Sequence, residues 1–61
     1  MFFSLVLLSE TGSYEQVSRV FQTLRAAKAA ARRFAGYAGT ASVAVYQGQP
    51  GGLKVATLTD R

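Results

Sequence analysis

Along Thr23 to Ala35, TLRAAKAAARRFA, apolar positions recur at three- and four-residue intervals: Leu24, Ala27, Ala31 and Phe34, flanked by Ala30 and Ala35. At about 100° per residue these share one face of an α-helix, while Arg25, Lys28 and Arg32 form a stripe on the adjoining flank. Six of the thirteen positions are Ala and most of the rest are good helix formers, so intrinsic propensity agrees with the period. Thr23 suits the N-cap and Gly36 the C-terminal stop. An Ala-lined face allows close approach to a sheet, with Leu24 and Phe34 as anchors at its two ends.

Elsewhere the pattern is that of strands. Phe2 to Glu10, FFSLVLLSE, puts Phe3, Leu5 and Leu7 on one face and Phe2, Val6 and Leu8 on the other, so both are apolar except at Ser4 and Ser9. One helix covers only one face of a sheet. The second face of this strand is therefore either covered by another part of the chain or joined to another subunit, and the short chain favours a homodimer through Phe2, Val6 and Leu8. Thr40 to Gln47 alternates Ala41, Val43 and Val45 against Ser42, Ala44 and Tyr46, and Leu53 to Thr59 is its partner. The intervening Gly48-Gln49-Pro50-Gly51-Gly52 is a hairpin loop in which Pro presets φ and the next Gly takes a positive φ.

Tyr14 to Gln22 fits two periods. As a strand, Tyr14 to Phe21 returns along the first strand through the turn Glu10-Thr11-Gly12-Ser13. As a helix, Ser13-x-x-Gln16 is a capping box, and Val17, Val20 and Phe21 extend the apolar stripe of the later helix. The first reading makes the chain a ββαββ α+β domain. The second makes it βαββ with one helix over 14–35, about 33 Å long against about 23 Å for a seven-residue strand. That overhang, and the compositional break at Thr23, favour the hairpin.

Composition narrows the chemistry. At 61 residues the chain is a single domain, near the size at which one core needs a further staple. It has no Cys and no His, which removes disulfides, thiolate sites and the usual zinc ligands and leaves oligomerisation. The same absence removes nucleophilic triads and common metal hydrolases, so the expectation is a non-enzymatic protein without cofactor or metal. Glu10 and Glu15 flank a turn and read as solvated rather than as an acid/base pair. The run Phe2 to Leu8 is too short to span a bilayer and lacks the flanks of a signal peptide, so a cytoplasmic location away from membranes is expected.

The net charge of +4 is unevenly placed. The acids are Glu10, Glu15 and Asp60, and the stretch between Gln16 and Thr59 holds Arg19, Arg25, Lys28, Arg32, Arg33 and Lys54 without a carboxylate. Solvated helix faces usually interleave Glu with Lys. Arg32 and Arg33 suit the C-terminal end of the helix dipole, but Arg25 in the first turn does not. These residues are the candidate nucleic-acid contacts: Arg25, Lys28, Arg32 and Arg33, helped by Arg19 and Lys54, tracking phosphates with little base specificity. The same stripe also suits an acidic protein partner or a solubilising face. GQPGGLK lacks the Gly-Lys-Ser/Thr and following helix of a phosphate loop, and Tyr46 lacks the basic and aromatic neighbours of an RNA-recognition sheet.

A strand ending in Phe21-Gln22-Thr23, followed by an Ala-rich helix, resembles the arm-type DNA-binding domains of tyrosine recombinases. With the closing hairpin from Ala41 to Leu58, the layout also resembles small ββαββ proteins of bacterial and phage genomes. The first resemblance implies DNA contacts on a sheet face, which the apolar first strand does not match. The second brings no known activity with it; a small regulator or inhibitor of mobile-element origin is instead the reading that sets the basic stripe against an acidic protein partner.

Overall fold

The computed structural model describes residues 1–59; Asp60, one of the three acids, lies outside them. Four strands form one antiparallel sheet: β1 (Phe3–Ser9), β2 (Tyr14–Gln16), β3 (Thr40–Gln47) and β4 (Leu53–Leu58), in the order β2-β1-β3-β4. The single helix, α1 (Leu24–Ala35), falls between β2 and β3 in the chain. The described residues are thus α+β, with one layer of sheet and one helix. Among the described residues no helix is long and apolar enough to cross a membrane.

Register decides what each face of the sheet carries. Leu5 lies opposite Val45 and Leu7 opposite Val43, and on the far side of β3 these two meet Ala56 and Leu58. This is the face under the helix. Ala27, Ala31 and Ala35, at every fourth position, are fully buried against it with Leu5, Val43 and Val45. The buried row is centred on small side chains, so the helix sits close to the sheet. Each fully buried Leu or Val contributes about 2 kcal/mol of transfer free energy. Leu24 and Phe34, expected as anchors in the row, are only half-buried at its margins.

Local signals set the ends of α1. Thr23 is extended (φ −130°, ψ 152°), and its Oγ1 accepts from the Ala26 N–H at 3.1 Å, satisfying one of the free donors of the first turn. At the other end Gly36 stays right-handed (φ −83°) and donates its N–H to Arg33 O, while the Tyr37 N–H donates to Phe34 O. These two tight turns fold the chain back and bring the Tyr37 ring edge-on to Phe34, with centroids 5.4 Å apart at 78°.

Residues 14–22 form neither the long helix nor a full strand. β2 pairs with β1 over only three residues. Val17 then donates to Leu5 O at 3.0 Å, and Phe21 exchanges both backbone hydrogen bonds with Phe3 at 2.8 and 2.9 Å. From Leu5 to Phe3 is two steps on β1, whereas the facing chain takes four, so Ser18, Arg19 and Val20 loop outward, with Val20 half exposed. The alternative helix over 14–35 would leave this edge of β1 with unpaired N–H and C=O groups. The extended path satisfies them and still turns Val17 and Phe21 to the core.

In the closing hairpin Gly51, following Pro50, has φ 89°, the left-handed value a type II turn requires. A bulge in β4 opposite Val45 and Tyr46 sends Val55 as well as Ala56 to the core margin.

Candidate nucleic-acid interface

Because Ala27, Ala31 and Ala35 fix which side of α1 meets the sheet, the opposite side is fixed too. Arg25, Lys28, Arg32 and Arg33 are all exposed, and with Ala29 they border one shallow, open depression on the outer surface of the helix. At about 100° and 1.5 Å per residue they cover an arc of about 140° and a length of about 12 Å. No acid stands in the first turn of the helix, and none of the four cations makes an ion pair among the described residues. The stripe is thus exposed along the helix, clear of the buried alanine row.

Local helix chemistry accounts for half of it. Arg32 and Arg33 lie in the last turn, where cations are favoured by about 0.3–1 kcal/mol each. Arg25 sits in the first turn against the positive end of the dipole with no carboxylate in that turn to offset it, so the helix dipole does not account for its placement.

The other cations divide. Arg19, in the outward loop before α1, places its guanidinium 5.3 Å from the centre of the Phe21 ring, within cation–π range. It shares a cleft with Arg33, so Arg19 joins the helix stripe. Lys54 does not. It lies opposite Tyr46, and Tyr46 opposite Ser4, which puts all three on the face of the sheet turned away from the helix.

On that open face Val6 and Leu8 alternate with Ser4 on β1, beside Ala44, Ser42 and Tyr46 of β3. Phe2 continues the ladder, accepting from the Gly48 N–H at 2.8 Å, and is exposed. Phe2, Val6 and Leu8 therefore share one surface, and no element among the described residues packs across it. Ser4 is its one buried polar group, with its hydroxyl donating to Gly48 O at 2.6 Å.

Glu10 and Glu15 are brought to different places. Glu10 borders a hollow of about 520 Å³ by the helix C-terminus, with its N–H donating to Gly39 O at 2.9 Å. Glu15 is exposed on β2 and borders separate, smaller concavities. The two do not face a common pocket. Among the described residues no group of three potential metal ligands is assembled.

One feature escapes a reading of the sequence. The outward loop and the helix enclose a cleft of about 110 Å³, bordered by Val17, Arg19, Phe21, Ala30, Arg33, Phe34 and Tyr37. Its aromatic members are dispersed in sequence, and the tight turns after α1 are what bring Tyr37 to Phe34. The only local signal was Arg19 two residues from Phe21.

Comparison with protein-family models, with curated proteins and with solved structures finds no match to this chain.

Proposed function

We propose that the protein binds nucleic acid through the outer face of α1, neutralising backbone phosphates with Arg25, Lys28, Arg32 and Arg33 and extending the contact to Arg19. The observation that carries this reading is the set of four exposed helix cations without an ion pair among the described residues. Lys54 is left out, because it lies on the other face of the sheet. Phosphate contacts position a protein without reading sequence, so base specificity is low and no catalysis is involved.

The active form is a homodimer joined through the open sheet face, with Phe2, Val6 and Leu8 in the interface. Support comes from the size of the core: of its seven buried apolar residues, three are Ala. A second copy would cover the apolar side chains that the single helix leaves open, and a two-fold pair would carry its two basic helix faces outward. The ββαββ layout that resembles small proteins of phage and mobile elements fits such an assembly.

The test is titration of labelled duplex DNA and single-stranded RNA at 50 and 200 mM salt. Four phosphates neutralised give a log–log slope of about −3.6 on the duplex and about −2.8 on a single strand. Absence of binding at low salt removes the proposal. Weak, salt-insensitive binding removes the helix face from it, and the basic face then falls to an acidic protein partner.

A further inference from the structure

We infer that the cleft beside the basic helix face is a stacking site for one unpaired base, so that the preferred ligand is single-stranded rather than duplex nucleic acid. This rests on the nucleic-acid reading above and makes it more specific.

Three observations converge. First, the cleft is built from aromatic rings. Phe21 and Phe34, both half-buried, line it together with Tyr37, which is 56% exposed. Tyr37 meets Phe34 edge to face, which uses the edge of one ring and the face of the other and holds the pair in a fixed angle. Second, the cleft carries its own cations. The Arg19 guanidinium is held over Phe21, and Arg33 borders both the cleft and the depression on the outer helix face. Third, the cleft, of about 110 Å³, has room for a planar ring.

Those features match a strand whose bases are free. Proteins that bind single strands pair a positively charged track with aromatic side chains on which bases stack. Here the track is Arg25, Lys28 and Arg32, and Arg33 stands where the track meets the rings. A base entering the cleft would lie against Tyr37 while its flanking phosphates reach Arg33 and Arg19. A duplex keeps its bases inside the stack and presents only phosphates, so it can use the track but not the cleft.

The experiment measures binding of the full chain to four fluorescein-labelled probes of equal length at one low salt concentration: oligo-dT, oligo-rU, an abasic deoxyribose oligomer and a DNA duplex. Base–aromatic stacking contributes about 1–3 kcal/mol per base, equivalent to a preference of about fivefold to 150-fold for a single strand with bases over the abasic strand. Tyr37→Ala should abolish that preference and leave abasic and duplex affinities within about twofold, while Tyr37→Phe, which keeps the ring, should retain it. Tyr37 is exposed and outside the helix, and circular dichroism of both variants checks that the fold persists. Equal affinity for abasic strand, duplex and base-bearing strand overturns the inference while leaving the phosphate track standing, as does a preference that survives Tyr37→Ala. Failure of all four probes to bind overturns the nucleic-acid reading itself, and the inference with it.

Discussion

Reversing the helix stripe with Arg25→Glu, Lys28→Glu and Arg32→Glu separates binding from folding. The three side chains are exposed and none belongs to the buried row that seats α1, so the core is undisturbed. Within the helix the electrostatic effects nearly cancel. Glu at position 25 gains about 0.3–1 kcal/mol from the positive end of the dipole, and Glu at position 32 loses a similar amount at the negative end. Like-charge neighbours three and four residues apart repel equally whichever sign they share. Stability should therefore change by less than about 1 kcal/mol. Binding should change far more. The formal charge falls from +4 to −2, since each reversal removes two units from the value of the native chain. On a single strand each phosphate contact contributes about 0.7 to the salt slope, or about eightfold in affinity between 1 M and 50 mM salt. Three lost contacts then weaken binding about 500-fold at 50 mM, before any repulsion is added, and flatten the slope from about −2.8 to about −0.7. Fluorescence anisotropy across a salt series reads both quantities, and circular dichroism with thermal melting checks the fold. A folded triple variant that keeps the native affinity and slope would falsify the assignment of the phosphate track to this face.

Two further outcomes test the assembly and the packing. Val6→Asp and Leu8→Asp each place a charge on the open sheet face, not in the core, so each should give a folded monomer by light scattering; a folded dimer from both removes the sheet-face interface. Ala31→Leu adds three carbons where a fully buried methyl seats the helix on Val43 and Val45, and overpacking of this kind should cost about 1–3 kcal/mol in chemical denaturation; unchanged stability would mean that the helix is free to shift away from the sheet.

Local chemistry determined much of this protein before any tertiary contact. The Ala-rich run between Thr23 and Gly36 is a helix because propensity, period and capping agree, and α1 begins and ends within one residue of those signals. The closing hairpin was equally readable, since the alternating run 40–47 and its partner strand 53–58 bracket a loop whose Pro50-Gly51 pair meets the backbone demands of a turn. Charge asymmetry was visible too, because the absence of acids between Gln16 and Thr59 does not depend on folding. Residues 14–22 were open because Val17 and Phe21, four apart, satisfy a helix and a looped extended segment equally. Helix length and the compositional break at Thr23 favoured the hairpin, but the pairing that fixes its path, with Phe21 on Phe3 of β1, comes from residues far away in sequence. Tertiary structure also chose which apolar face of β1 the helix covers, leaving Phe2, Val6 and Leu8 outside, and it moved Lys54 to the far face of the sheet through its register with Tyr46. The aromatic cleft belongs wholly to this second class. Phe21, Phe34 and Tyr37 meet Arg19 and Arg33 only because a bulged linker and a tight turn at the end of a helix converge on one edge of the sheet, and no periodicity in the chain encodes that meeting.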